Sequence, residues 1–147
     1  MALWKTQPTL DQLREMSKNT MMEHLGIEYL EIGDDYLKAK MPVDHRTKQP
    51  VGLLHGGASV ALAETLGSMA AALSVNREKK GIVGIEINAN HIRPVKDGWV
   101  TGVAKPIHIG GTTQIWEINI YNEEDKLVCV SRLTVAIINK TNAESGS

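Results

Sequence analysis

Glu64 is the residue whose surroundings most clearly suggest a chemical role. It is the only ionisable side chain among the nineteen residues from Gly57 to Val75, which are mostly helix formers. A helix this apolar is predicted to be largely buried, and a carboxylate is costly to bury unless it is paired or takes part in a reaction. Two interpretations stand side by side: a structural glutamate bonded to a neighbouring strand or an interface partner, and a catalytic carboxylate.

The segment from Gln49 to Gly57 leads directly into this helix and ends in His55-Gly56-Gly57. Glycines allow backbone N–H groups to approach a ligand closely, and the N-terminus of a helix favours negative charge. A carbonyl oxygen that becomes negatively charged during a reaction would be stabilised at such a position. A plain glycine-rich helix entry is the alternative interpretation.

The spacing of these two features constrains how they can act together. Gly56 and Glu64 are eight residues apart, which corresponds to about 12 Å along one helix at roughly 1.5 Å per residue. One carbonyl cannot be polarised at the first position and attacked by a water activated at the second. If both groups serve one reaction, they must come from two helices that lie side by side in opposite directions. The spacing then predicts a two-fold homodimer with two equivalent sites at its interface.

A second polar cluster occurs in a predicted strand, where His91 and Arg93 are two residues apart and therefore on one face. Arginine suits phosphate recognition, so the pair could line the entrance for an anionic ligand. An edge strand with a solvated face is the alternative. The histidines His24, His45 and His108 do not have the spacing of a metal site, and no metal is predicted.

The elements that must hold these residues are predicted from capping and periodicity. Capping-box pairs at Thr9 and Gln12, and at Thr20 and Glu23, predict two short helices. Alternation predicts a hairpin around Gly33 to Asp35, and four strands after the long helix at 82–93, 99–109, 113–121 and 127–138. This order indicates an α+β fold in which an antiparallel sheet wraps around one long central helix. We expect a single domain over residues 1–147, with its core at about 3–138 and a polar tail at 139–147.

Composition narrows the class of partner. A formal net charge of -1 lacks the basic footprint expected of a nucleic-acid-binding protein. Cys129 is the only cysteine, which excludes an intrachain disulfide, favours a reducing cytoplasm and suggests a core residue rather than a nucleophile. No stretch has the length of a membrane span, and the first residues do not have the pattern of a signal peptide.

The motifs together resemble a known family. Met41-Pro42-Val43-Asp44, Arg46 to Pro50, Gly52 to Ser59 with Ala63-Glu64, and Glu86 to His91 with Arg93-Pro94 are similar to the hotdog-fold thioesterases. The glutamate on the central helix is typical of the Arthrobacter-type 4-hydroxybenzoyl-CoA branch, and the resemblance is strongest to the thioesterases of menaquinone and enterobactin biosynthesis. It spans about residues 3 to 138.

The resemblance implies roles for individual residues. Glu64 would be the general base or the nucleophile, the Gly56 N–H would polarise the thioester carbonyl, and Gln49 and His55 would orient the reacting groups. Ser68 and Met69 would line the acyl pocket. The implied CoA contacts are Gly84, the segment His91, Ile92, Arg93 and Pro94, and the loop of His108, Ile109, Gly110, Gly111, Thr112 and Thr113. Two departures from the family pattern are Val51, where phenylalanine is usual, and the absence of a basic residue at 111–113.

The resemblance also implies an activity and an assembly. We expect hydrolysis of an aromatic acyl-CoA, with 1,4-dihydroxy-2-naphthoyl-CoA as the substrate and no cofactor beyond the CoA of the substrate itself. A thiolate is a good leaving group, so one base and one carbonyl polariser can suffice. The expected assembly is a homodimer, or a tetramer made of two dimers. The alternatives are a proofreading thioesterase for misacylated aryl carrier protein, and a non-catalytic hotdog module that binds acyl-CoA or an assembly partner.

Overall fold

The computed structural model describes residues 2–141 as two short helices, a long helix and six strands. The helices are α1 (Leu10–Ser17), α2 (Met21–Leu25) and α3 (Gly56–Leu73), and the strands are β1 (Glu28–Ile32), β2 (Leu37–Pro42), β3 (Lys80–His91), β4 (Trp99–Ile109), β5 (Thr113–Tyr121) and β6 (Leu127–Asn139). The predicted strands β4 and β5 have the observed bounds. The long helix begins one residue earlier and ends two residues earlier than predicted, and β6 includes the first residue of the predicted tail. Residues 142–147 of that tail lie outside the described residues.

The two N-terminal helices begin differently. In α1 the predicted capping box is confirmed, because the Gln12 N–H donates to Thr9 Oγ1 at 3.2 Å and the Thr9 N–H donates to Gln12 Oε1 at 2.8 Å. In α2 the predicted box is wrong. Thr20 Oγ1 accepts from the Met22 N–H, and the Glu23 carboxylate accepts from the N–H of Asn19. Asn19 has a positive φ of 61°, and this bend brings its N–H, rather than that of the capping residue, towards Glu23.

All six strands form one antiparallel sheet in the order β1-β2-β4-β5-β6-β3. Strand β3 crosses over to pair with β6 instead of its neighbour in sequence, and it forms one edge of the sheet. Helix α3 packs against the inner face and contacts strands β2 to β6. The predicted α+β class, with an antiparallel sheet around one central helix, is confirmed.

Two glycines allow close packing between α3 and the sheet. A Cβ placed on Gly67 would lie 2.6 Å from Leu133 Cδ2, and one on Gly102 would lie 2.7 Å from Leu66 Cδ1. These distances are too short for real carbon contacts, so the helix and sheet approach closely only because both positions lack a side chain. Cys129 lies fully buried in this core, where burial raises the pKa of its thiol, as expected of a packing residue rather than a nucleophile.

None of the helices found within residues 2–141 is long and apolar enough to cross a membrane. Across the same part of the chain, no group of three or more histidine, cysteine, aspartate or glutamate side chains is placed to hold a metal ion.

Candidate active site

The first turn of α3 carries an unpaired backbone donor. His55 is the N-cap residue, and its Nδ1 accepts the Gly57 N–H at 2.8 Å. Since Nδ1 is an acceptor, the ring proton of neutral His55 must be on Nε2, which is free to donate. The N–H of Gly56 has no acceptor among residues 2–141. A helix N-terminus with a free N–H can donate to a developing oxyanion.

The loop before α3 is held in place by its backbone. Thr47 is buried and its hydroxyl donates to the Pro42 carbonyl at 2.7 Å, while the His55 N–H donates to the Thr47 carbonyl at 2.8 Å. The Gln49 N–H donates to the Leu53 carbonyl at 2.8 Å, and Gly52 closes this turn with φ +93°. The side-chain oxygen of Gln49 accepts from the Val51 N–H. The side-chain NH₂ of Gln49 is therefore available to a ligand.

Gln49 and Gly56 line one cleft of about 280 Å³, here called the Gly56 cleft, whereas His55 is not among its lining residues. Its wall includes Gln49, Gly56, Ser59, His91, Ile92, Arg93 and Pro94. A Cβ on Gly56 would lie 2.8 Å from His91 Nε2, so the imidazole packs directly against the glycine backbone. The structure thus brings together Gln49, Gly56 and the His91 to Pro94 segment.

The predicted common strand face of His91 and Arg93 is wrong. Strand β3 ends at His91, which pairs with Cys129, and the N–H groups of Ile92 and Arg93 both donate to the Val128 carbonyl. The chain turns out of the sheet before Pro94, which lacks an N–H to continue the ladder. Arg93 is exposed beside the cleft rather than on the strand.

Glu64 lies in a different cleft, of about 470 Å³, here called the Glu64 cleft. One face of α3 contributes residues at helical spacing, and helices α1 and α2 contribute an apolar wall. The lining is Met16, Met21, Met22, Leu25, Ile27, Tyr29, Ala61, Glu64, Thr65, Ser68, Met69, Ala72 and Arg77. The structure therefore places Ser68 and Met69 in the same cleft as Glu64, on an acyl-sized apolar surface.

The predicted burial of α3 is correct for the stripe that faces the sheet, but it is wrong for Glu64. Leu62, Leu66 and Ala70 are fully buried, whereas Glu64 is on the opposite face and is exposed in the single chain. Its carboxylate makes no hydrogen bond or ion pair with any part of the chain from residue 2 to residue 141. Glu64 is therefore not a structural glutamate bonded to a neighbouring strand of its own chain.

Strand β3 runs along α3 and touches both ends of the candidate site. A Cβ on Gly84 would lie 3.3 Å from Glu64 Oε1, and His91 lies against Gly56. Gly84 precedes a break in the pairing register of β3 with β6, between Gly84 and Glu86. A glycine at this bulge lets the strand backbone pass close to the carboxylate.

The remaining implied CoA contacts, residues 108–113, lie outside both clefts. His108 and Ile109 end β4, Gly110 to Thr112 form the turn, and Thr113 begins β5. The side chain of the next residue, Gln114, donates to Ser74 Oγ at 2.8 Å, just beyond the C-terminus of α3. In one chain the 108–113 turn therefore lies at the end of α3 opposite to Gly56, and it lines neither cleft.

Sequence reasoning missed the wall formed by α1, α2 and β1. Tyr29 looks like an ordinary strand residue, and Met16, Met21 and Met22 look like the apolar stripe of short helices. Methionine adapts to irregular surfaces and is common at binding sites that accept varied shapes. Their clustering over a few residues was the one available signal.

A six-stranded antiparallel sheet wrapped around one long helix is the architecture of the hotdog fold. The family model described as "Thioesterase superfamily" matches residues 51–129, and the chain belongs to this family. The match includes Gly56, Glu64, Gly84 and His91.

Close relatives agree with this assignment. The crystal structure of a thioesterase from Haemophilus influenzae is 55% identical, with a TM-score of 0.91 over 93% of this chain and 95% of that one. The 1,4-dihydroxy-2-naphthoyl-CoA hydrolase of Escherichia coli is 53% identical over 92% of this chain and 99% of that protein. The proofreading thioesterase EntH of Cronobacter turicensis is 54% identical over 92% of this chain and 98% of that protein. The protein is therefore an enzyme, an acyl-CoA thioesterase, which confirms the prediction and excludes the alternative of a non-catalytic module.

Proposed function

We propose that the protein hydrolyses aromatic acyl-CoA thioesters, with 1,4-dihydroxy-2-naphthoyl-CoA as its substrate and with each active site built from two chains. The observation that carries this proposal is the separation of Gly56 and Glu64. They lie on one uninterrupted helix, about 12 Å apart along its axis, and they line two clefts that share no residue. A second copy of α3, running in the opposite direction, would bring one chain's Glu64 to the other chain's Gly56.

The chemistry needs only the groups that these two clefts supply. The Gly56 N–H, and Gln49 and His55 beside it, would hold the thioester carbonyl oxygen. Glu64 either removes a proton from a water that attacks the carbonyl carbon, or attacks that carbon itself to form a mixed anhydride that water then cleaves. In both routes the C–S bond breaks, and the CoA thiolate leaves and is protonated. No cofactor is required.

The free edge of the sheet supports pairing with a second copy. Within residues 2–141 strand β3 bonds to β6 alone, and its side chains Val83 and Ile85 are 48% and 61% exposed. Exposed apolar residues on an edge strand are a liability unless another chain covers them. Pairing across this edge would also enclose Glu64. We propose this dimer, and a tetramer of two such dimers, as the assembly of the enzyme.

The same arrangement would gather the CoA contacts. In two antiparallel helices, the C-terminal end of one lies near the N-terminal end of the other. The 108–113 turn of one chain would then approach the partner's Gly56 cleft, where Arg93 offers a guanidinium for a phosphate group. No basic residue at positions 111–113 adds to this charge.

The aromatic specificity is supported by the Glu64 cleft and by one relative. The wall opposite Glu64 is made of methionine, leucine, isoleucine and tyrosine side chains, which suit a flat apolar ring. The relative from Escherichia coli is a 1,4-dihydroxy-2-naphthoyl-CoA hydrolase.

We further propose that residues 1–147 form one domain, since α3 contacts five strands of one sheet. We also propose that the enzyme works in the cytoplasm, where its single cysteine stays reduced.

A second candidate substrate is a misacylated aryl carrier protein. The proofreading thioesterase of Cronobacter turicensis is as similar to this chain as the CoA hydrolase is, at 54% against 53% identity. Measuring kcat/KM for the same aryl group on CoA and on an aryl carrier protein separates the two. Higher kcat/KM on the carrier protein would overturn the CoA assignment.

The catalytic role of Glu64 is tested with Glu64→Gln, which keeps the size of the side chain and removes its charge. We expect kcat to fall by at least about a hundredfold on aryl-CoA substrates, as for a removed general base. Glu78→Gln, in the exposed loop after α3, is the matched control and should keep full activity. Near-normal turnover by Glu64→Gln would refute the assignment.

A further inference from the structure

The hydroxyl of Tyr29 is buried without a partner. Tyr29 lies on β1, is 1% exposed, and its hydroxyl oxygen makes no hydrogen bond within residues 2–141. A buried hydroxyl that gives up water and gains no partner destabilises the folded chain. Such groups are rare in proteins and call for an explanation at their own site.

The position of Tyr29 relates this hydroxyl to the substrate. Tyr29 lines the Glu64 cleft together with Met16, Met22 and Leu25. Both residues line the cleft, but Glu64 is exposed whereas Tyr29 is buried. An acyl group whose carbonyl carbon reacts near Glu64 therefore extends its far side towards Tyr29.

We infer that Tyr29 is a specificity-determining residue whose hydroxyl bonds to a polar oxygen, such as a ring hydroxyl, on the far side of the acyl group. This inference rests on the proposed function, since it requires the acyl group to occupy the Glu64 cleft. It assigns the recognition of an oxygen substituent on the aromatic acyl group to one residue of this chain.

The other polar groups of the cleft do not take this role. The Thr65 hydroxyl donates to the Ala61 carbonyl at 2.7 Å and is already used. Ser68 is only half-buried, and Arg77 is exposed at the edge. Burial raises the pKa of Tyr29 to about 12, so at neutral pH its phenol is protonated and can both donate and accept. The flexible methionine side chains around it can shift to admit a ring.

The kinetic test uses Tyr29→Phe, which removes the hydroxyl and keeps the ring. The substrates are benzoyl-CoA and its 3-hydroxy and 4-hydroxy derivatives. We expect kcat/KM to fall about tenfold on at least one hydroxylated substrate, the size of one neutral hydrogen bond, and to stay within about twofold on benzoyl-CoA. An equal fall on all three substrates, or no fall on any, overturns the inference while leaving thioesterase activity established.

Two measurements do not depend on turnover. Calorimetric binding of 3-hydroxybenzoate and 4-hydroxybenzoate should weaken about tenfold in Tyr29→Phe, with binding of benzoate unchanged. The Tm of the variant should equal or exceed that of the wild type, because no partner is lost; a drop of more than about 4 °C shows that the hydroxyl is already satisfied and overturns the inference. Hydroxyl-dependent binding without hydrolysis of any aryl-CoA would refute the proposed function alone. Failure of all three acids to bind overturns the inference.

Discussion

Mixing two inactive variants tests whether each active site draws on two chains. Glu64→Ala removes the carboxylate of the Glu64 cleft, and Gln49→Ala removes a side chain of the Gly56 cleft. Each variant alone should have little activity. In a two-chain site, a mixed dimer has one site with both defects and one site with none.

The expected recovery can be worked out from this arrangement. Random exchange at equal concentrations makes about half of all dimers mixed, and one of the two sites in each mixed dimer is intact. About a quarter of all sites are therefore active, so kcat per chain should recover to about a quarter of the wild-type value. A site contained within one chain would show no recovery.

A second mixture gives a matched control. Wild-type chains mixed with Glu64→Ala/Gln49→Ala double-variant chains should also keep about a quarter of full activity if sites are shared, because every site in a mixed dimer then has one defect. Sites within one chain would keep about half. The assay is aryl-CoA hydrolysis followed by thiol release, with subunit exchange verified by native mass spectrometry. Recovery of zero in the first mixture and one half in the second, despite exchange, would refute the two-chain site.

Three further predictions follow from individual contacts. Gly84→Ala places a Cβ 3.3 Å from Glu64 Oε1 and should lower kcat/KM about tenfold by displacing the carboxylate; unchanged kinetics would show that the carboxylate does not need this position. Gly67→Ala places a Cβ 2.6 Å from Leu133 Cδ2. Overpacking costs about 2 kcal/mol, and the higher helix propensity of alanine returns about 1 kcal/mol. The free energy of unfolding measured by urea titration should therefore fall by about 1 kcal/mol. Gly111→Ala, where no atom lies within 4 Å of the new Cβ, is its control. Hydrogen bonds from Arg46 lower the pKa of Asp44 to about 2, so its stabilising contribution is present above about pH 4 and is lost as the pH falls through 2. Asp44→Asn should therefore lower Tm at neutral pH, with a difference from the wild type that shrinks below pH 4 and disappears below pH 2; a constant difference at all pH values would contradict this.

Periodicity predicted the elements of the fold more closely than their partners. Alternation predicted β5 with its observed bounds, and the alternating residues Trp116 and Ile118 are buried on one face. Alternation shows which side chains share a face of a strand, but it does not show which strands are neighbours in the sheet. The pairing of β3 with β6 instead of β4 depends on contacts far apart in sequence, which no local pattern encodes.

The candidate site was predicted in part for a similar reason. Glu64 was identifiable because a lone charge in an apolar helix is conspicuous. The exposure of Glu64 could not be predicted, because the small residues of α3 look alike whether they pack on the sheet or face a cleft. Tyr29 was missed because its alternation is that of a core strand, and the missing hydrogen bond is visible only in three dimensions.

The walls of the Glu64 cleft come from two separate parts of the chain. The groups proposed for hydrolysis, Gly56 and Glu64, lie within the residues 51–129 that define the family, while the apolar wall from Met16 to Tyr29 lies before them. Substitutions in the N-terminal segment can therefore change the surface that faces the acyl group while Gly56 and Glu64 stay the same. A chimaera that exchanges residues 10–29 between two relatives should therefore transfer the acyl preference of the donor protein.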